Sequence, residues 1–356
     1  MKKLMLMLLS VLVVVLILSS LAARLSAADV RGGKGTLTIY NWGDYIDPQL
    51  ISKFEKEYGY RVVYQTFDSN EAMLTKIEQG GTSFDIAVPS DYMISKMKDE
   101  HLLLPLNHRR IPNLKYIDRR FLNLSFDRSN RYSVPYFWGT VGIVYNPKML
   151  GGRKINSWND LWNKHNLKQI LLVDSAREII GMGLDSLHYS VNDTNPNHLQ
   201  QAMNKLSRLT PNVKAIVGDE DKMMLASREA AIGVLWSGDA VEIMDENPDL
   251  TYVIPKEGSN VWFDNMVIPK GAKNVKGADE FINFMLRPRN AAQNAKYVGY
   301  STPNQAALAY LPKSIKDDRR FYPDKKVTDR LEVYTNFSKP MTAYFNELFL
   351  QFKMHQ

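Results

Sequence analysis

Read from its residues alone, the chain predicts an α/β protein of two lobes with a ligand cleft between them. Three observations carry that prediction. Between Thr36 and Tyr92, short β-branched runs alternate with capped amphipathic segments, the pattern of a parallel sheet with right-handed crossovers. A second alternation of the same kind runs from Trp158 to about Asn260. Between and after these units, Val141–Tyr145 and Val261–Pro269 read as strands that leave the first unit and return to it.

Thr36–Tyr40 is the first expected strand, ending in the turn Asn41-Trp42-Gly43-Asp44-Tyr45. Pro48 opens a helix that carries Leu50, Ile51 and Phe54 on one face and closes at Gly59. Val62–Tyr64 is a second strand. Asp68-Ser69-Asn70-Glu71 then starts a helix that runs to Gly80-Gly81. Phe84–Val88 is a third strand, stopped by Pro89-Ser90, with Asp91-Tyr92 opening the next helix. In a parallel sheet ligands bind beyond the carboxyl ends of the strands, so Trp42 with Asp44, Phe67 with Asp68, and Ser90 with Tyr92 share one rim. The second unit is read as strand Ile170–Asp174, helices Ala176–Leu187 and Leu199–Leu209, and strand Ala231–Trp236. Tyr252–Pro255 and Val261–Pro269 follow as strands, then helices Gly277–Leu286 and Arg289–Tyr297, the turn Tyr300–Asn304, and a largely helical remainder broken by prolines. The expected division is 36–139 with 263–308 for the first lobe and 140–262 with 309–356 for the second.

The chain has 356 residues, 45% hydrophobic and 23% charged, which suits two globular domains at about 150 residues each. It contains no cysteine, which excludes disulfides, thiolate nucleophiles and cysteine metal sites. Lys2 and Lys3 precede an apolar run from Leu4 to Leu18 that only Ser10 interrupts, and small residues lead to Ser26-Ala27-Ala28. That is a secretory signal pattern over 1–28, either cleaved after Ala28 or kept as an N-terminal anchor. The body is expected outside the cytoplasm, in the periplasm or on the outer face of the cytoplasmic membrane, as a monomer without a nucleic-acid partner. The formal net charge is +7. Its densest basic groups, Arg109-Arg110, Arg119-Arg120, Arg319-Arg320 and Lys325-Lys326, lie between polar turn signals, form no amphipathic basic helix, and read as solvated surface.

The residues that promise chemistry have the opposite character. In an extended Val261–Asn265, Trp262 and Asp264 point one way and Phe263 the other. An indole face beside a carboxylate seats a cation: the ring contributes about 0.5 to 2 kcal/mol, and the acid adds a charge-assisted hydrogen bond. The same pairing recurs at the other strand ends, through Trp42, Asp44, Tyr45, Ser90, Tyr92, Trp138, Asp174, Glu178, Trp236 and Tyr300. Linear polyamines match an aromatic and acidic site, since each buried methylene gains ~0.8 kcal/mol and each ammonium needs an acid. Plainer readings stand beside this one. Asp44 can be a turn former, Asp174 the N-cap of the following helix, Glu178 a first-turn acid favoured by the helix dipole, and Trp138 hinge packing. Against catalysis, the chain lacks a G-x-S-x-G elbow, an H-E-x-x-H pair, a P-loop and a G-x-G-x-x-G turn, and its six histidines stand singly. No cofactor or metal is expected. The rival is an exported carbohydrate-active hydrolase with Glu178 and Asp264 as its carboxylate pair, or a sugar-binding protein.

The motifs also carry a resemblance. Tyr40-Asn-Trp-Gly-Asp-Tyr45, Ser69-Asn-Glu-Ala-Met73, Phe84-Asp-Ile-Ala-Val-Pro-Ser90, Ser133-Val-Pro-Tyr-Phe-Trp-Gly139, Ala176-Arg-Glu178, Trp262-Phe-Asp264 and Val298-Gly-Tyr-Ser-Thr-Pro-Asn304 occur in that order. From Leu37 onward the chain resembles the extracytoplasmic spermidine/putrescine-binding proteins of ABC-type polyamine importers. The resemblance implies a type II periplasmic-binding-protein fold that closes on its ligand and delivers it to a membrane ABC permease. It further implies that Trp42, Tyr92, Trp236, Trp262 and Tyr300 box the methylene chain, that Glu178 and Asp264 hold amines, and that Tyr334 occupies a late polar contact. The chain departs from the pattern at Gly43, where the family has a threonine, and at Ser175, where it has an acid, with Asp174 one residue earlier.

Overall fold

The structure, a computed structural model, describes residues 33–218 and 220–354. The expected signal segment, 1–28, lies outside the described residues. The strands are β1 Thr36–Trp42, β2 Arg61–Phe67, β3 Ile86–Ala87, β4 Ser133–Tyr145, β5 Ile170–Val173, β6 Val213–Val217, β7 Ile232–Trp236, β8 Thr251–Val253, β9 Ser259–Val267 and β10 Leu331–Glu332. The α-helices are α1 Pro48–Tyr58, α2 Asn70–Gln79, α3 Asp91–Asp99, α4 Ala176–Asp185, α5 Pro196–Ser207, α6 Glu220–Ala226, α7 Ser237–Glu246, α8 Val275–Met285, α9 Pro288–Val298, α10 Lys313–Lys316, α11 Lys325–Thr328 and α12 Lys339–Met354.

Local chemistry accounts for the element ends. Asp47 caps α1 by accepting from the Gln49 N–H, Pro48 takes the first helical turn, and Gly59 stops it at φ 74°, where a side chain would be strained. Ser69 caps α2 through the Ala72 N–H, and Gly80 ends it at φ 66°. β1 pairs in parallel with both β2 and β3, as the strand–helix alternation requires.

The strands join in the order β2-β1-β3-β9-β4-β7-β5-β6, with β10 on β9 and β8 on β4. One feature differs from the sequence expectation. Val141–Tyr145, expected as a strand of its own, is the end of a single 13-residue strand, β4, that begins at Ser133 and is buried along its whole length. Its first part, from Ser133 to Thr140, runs antiparallel to β9, and Val141–Tyr145 runs antiparallel to β7. The change of partner coincides with a change of core. Buried residues from Leu37 to Trp138 and from Val261 to Leu311 form one cluster, while Val141 to Val234 and Phe345 to Phe352 contribute a second. A third, smaller cluster around Val144, Leu171, Leu235 and Tyr252 covers the other face of β5 and β7. Among the described residues no helix is long and apolar enough to cross a membrane.

Candidate functional site

Asp264 lies in β9 where the chain passes from one core to the other. Alternation along the strand turns Phe263 into the first core, against Phe121 and Phe126, and leaves Trp262 half-buried at the edge of the second. Asp264 is 6% exposed. Its two oxygens accept from Ser90 Oγ at 2.6 Å and from the Tyr45 hydroxyl at 2.7 Å. Burial pushes its carboxyl up to about 6, against the pull of those two hydrogen bonds.

Behind Ser90 stands Asn70, in the first turn of α2. Asn70 Nδ2 donates to Ser90 Oγ at 3.1 Å, and its Oδ1 accepts the Ser90 N–H at 3.0 Å. Because the amide already occupies an acceptor position of the Ser90 hydroxyl, the single hydroxyl proton is directed at Asp264. Asp91, 1% exposed, accepts the Tyr92 N–H at 2.6 Å and the Phe263 N–H at 3.0 Å. It thereby fastens α3 to β9, and burial pushes its carboxyl up to about 8.

The walls are aromatic. Tyr300 sits edge-on to Trp262 at 5.1 Å and to Tyr45 at 5.5 Å, and its hydroxyl donates to Asp239 at 3.4 Å. Two glycines make room for these rings. A Cβ on Gly139 would lie 2.3 Å from the Trp262 ring, and one on Gly238 would lie 2.0 Å from Tyr300. Trp42, half-buried, donates its indole N–H to the Val88 carbonyl at 3.0 Å. The Tyr92 hydroxyl donates to Glu71 at 3.2 Å.

The second core contributes Glu178 and Trp236. Glu178 is 9% exposed and accepts from Ser175 Oγ. Burial pushes its carboxyl up, opposed by Ser175, by its own backbone N–H, by the Arg177 charge and by the Trp236 side chain. After burial and Glu71, the Glu178 charge is a further cause that pushes the Tyr92 phenol up, which puts the two residues within electrostatic reach. Tyr334 is buried, with its ring 4.1 Å from the Arg177 guanidinium, and its phenol is pushed up by burial and then by Glu178.

Contacts join Ser90, Asp264, Tyr45, Tyr300 and Trp262 in one set, and electrostatic reach joins Glu178 to Tyr92, Trp236 and Tyr334, while Trp42 packs on Phe67 at the end of the first strand. Two expected residues stand apart. Asp44 is exposed in the turn after β1 at φ 48°. Asp174 is exposed and bonded to Lys353 of α12 at 2.8 Å through both oxygens. Ser175, not Asp174, occupies the N-cap position of α4. Sequence reasoning named Tyr45 only among the strand-end aromatics, without a role of its own, and left out Asn70, Asp91 and Asp239. Their only sequence signal was a place beside a strand end, because the partners that give them a role come from distant segments.

A model of the bacterial extracellular solute-binding proteins matches residues 49–322. The spermidine/putrescine-binding periplasmic protein of Salmonella typhimurium is 36% identical over 335 residues, covering 94% of this chain and 96% of that protein. A solved structure from Listeria monocytogenes, named as a spermidine/putrescine ABC transporter, is 64% identical with a TM-score of 0.85, over 90% of this chain and 99% of that one. The substrate-binding protein of a spermidine/putrescine ABC transporter from Streptococcus pneumoniae is 54% identical, with the same TM-score and coverage. These likenesses set aside the hydrolase reading and identify the two α/β units as a periplasmic-binding-protein fold. With its family model matched over most of its length and relatives alike from end to end, the chain belongs to the bacterial extracellular solute-binding proteins, receptors that hold a solute and do no chemistry on it.

Proposed function

We propose that this receptor captures a linear polyamine, spermidine or putrescine, in the groove between its two cores and delivers it to a membrane ABC permease. The observation that carries the reading is a pair of buried carboxyls among rings from both cores. Asp264 and Glu178 are buried, Trp42, Tyr92 and Tyr300 pack on the first core, and Trp236 and Trp262 pack on the second. Acids at separated points with rings between them match ammonium groups separated by methylenes. The names of the relatives support the same ligand class. In this reading Asp264 and Glu178 each pair with an amine, the five rings box the methylenes, Ser90 and Tyr334 contribute polar contacts, and Asp44 and Asp174 take no part. The lobes are 36–139 with 263–308 and 140–262 with 309–356. Residues 1–28 export the protein, which works as a monomer outside the cytoplasm. Ligand closes the lobes only through its differential affinity for the closed state.

Titration calorimetry with spermidine, putrescine, a neutral sugar and an amino acid tests this. Heat is expected with the amines and not with the other two. The absence of heat with either amine overturns the proposal.

A further inference from the structure

The acidic candidate site belongs to a chain whose excess charge is basic, and one irregular segment alone carries an excess larger than the net of the whole body. Residues 33–356 contain 41 Lys and Arg against 37 Asp and Glu. The arm 107–131 holds seven of the basic residues, Arg109, Arg110, Lys115, Arg119, Arg120, Arg128 and Arg131, with two acids, Asp118 and Asp127. The rest of that span therefore has 34 basic residues against 35 acidic ones and is balanced to within one charge. Extending the arm back to Lys96 adds Lys96 and Lys98 together with Asp99 and Glu100, which leaves its balance unchanged.

Neither acid of the arm offsets the outward charge. Asp127 is 1% exposed and turns inward to the Tyr132 N–H, the Ser133 N–H and Ser133 Oγ. Asp118 is taken by Arg120 at 2.8 Å, and Arg110 reaches Asp279 at 3.5 Å. The other five, Arg109, Lys115, Arg119, Arg128 and Arg131, are exposed and make no ion pair with a described residue. The arm has no long regular element, only three short 3-10 turns. It folds back on itself, because the Leu106 N–H donates to the Arg131 carbonyl at 2.8 Å and His108 Nε2 lies 2.8 Å from the Asn130 carbonyl. Arg109, Arg128 and Arg131 are thus neighbours in space although up to 22 positions apart in sequence. Lys115 and Arg131 also lie over the half-buried rings of Tyr116 and Tyr132.

We propose that this arm is a docking face for an anionic phospholipid bilayer, orienting the receptor at the membrane surface. Basic side chains on an irregular arm suit a diffuse sheet of negative charge, which attracts each nearby cation and asks for no shaped pocket. Tyrosines beside them suit the headgroup region. The attraction is screened by salt, with a reach of about 10 Å at 0.1 M. The proposal does not depend on the identity of the solute.

The body, residues 33–356, is the material for the test, since its cores close within residues 37–352 and relatives alike over 90% of this chain are folded. Co-sedimentation is measured with vesicles of equal parts phosphatidylglycerol and phosphatidylcholine, and with phosphatidylcholine alone. Two variants are compared, each with five glutamines. One replaces Arg109, Lys115, Arg119, Arg128 and Arg131, and the other replaces the exposed Lys56, Lys164, Lys313, Lys326 and Lys339. Unfolding temperature and far-ultraviolet circular dichroism confirm that each variant is folded. The expected result is binding to the anionic vesicles only, weakened at least tenfold by the arm variant, nearly unchanged by the other, and lost as salt is raised. Absence of binding to anionic vesicles, or equal loss in both variants, overturns the proposal. Retention of an immobilised acidic peptide without retention of vesicles also overturns it, in favour of a protein partner.

Discussion

Asp264 is a carboxyl held in two states of usefulness by pH. Its folded value of about 6 stands above the ordinary aspartate value near 3.9. Between those limits the fold holds a proton that the unfolded chain has released. The ligand-free protein therefore loses stability as pH rises through that window, by ~3 kcal/mol in full. Pairing with an ammonium requires the ionised form, so amine affinity is expected to fall as pH drops through about 6. Asn70 bears on the same balance through Ser90. Leucine at position 70 frees the Ser90 hydroxyl to turn away, and the fall in affinity is then expected to begin at higher pH. In a Ser90→Ala background the same change should add nothing. Calorimetry across pH 5 to 8 on the four proteins checks this, and an Asn70 effect that persists without the Ser90 hydroxyl would falsify the relay. Sequence alone put Trp262 and Asp264 on one face of an extended segment and Ser90 just past a strand, because alternation and turn signals are local. It read Asp91 only as a helix opener, because the amide of Phe263 that makes it a buried fastener lies 172 positions away.

At the scale of elements, the alternation of strand and helix between β1 and α3 was legible, since period and capping are written in adjacent residues. The continuity of β4 was not. Gly139 and Gly142 both lie within an unbroken strand where a neighbouring ring covers the backbone, Trp262 over the first and Tyr252 over the second. A glycine in a strand marks close approach as well as a bend. Alanine at Gly139 must displace the Trp262 ring and is expected to destabilise the fold by ~1 to 3 kcal/mol. Because the proposed function makes Trp262 a wall of the amine site, amine affinity should drop at the same time. Urea unfolding and titration of this single variant check both effects, and unchanged values for both would show that the ring has room to move.

Over the whole molecule, the contrast between a basic chain and an acidic set of strand ends was the most informative property of the sequence. The concentration of charge in 107–131 was hidden because its basic residues are spaced by turn residues and meet only when His108 returns to Asn130. Ligand capture should register in global stability. At a hundredfold excess of amine over its dissociation constant the folded state gains ~2.7 kcal/mol, which for a chain of this size corresponds to a rise in melting temperature of roughly 5 °C. Thermal unfolding with spermidine and with a neutral sugar at equal concentration measures it, and an equal response to both would count against amine capture.

The pairing of β4 with β9 across the junction of the two cores has a mechanical consequence. Trp262 faces Gly139 and Val261 faces Thr140 in the ladder, just before β4 takes β7 as its partner. Two strands stitched side by side resist sliding past one another, since any slip breaks a row of bonds, but they flex readily out of their plane. The join then behaves as a strap with one easy direction of bending. Under the proposed function, Asp264 and Glu178 are then expected to approach along a single arc, so that the receptor gauges, like a caliper, the distance between two charges on its ligand.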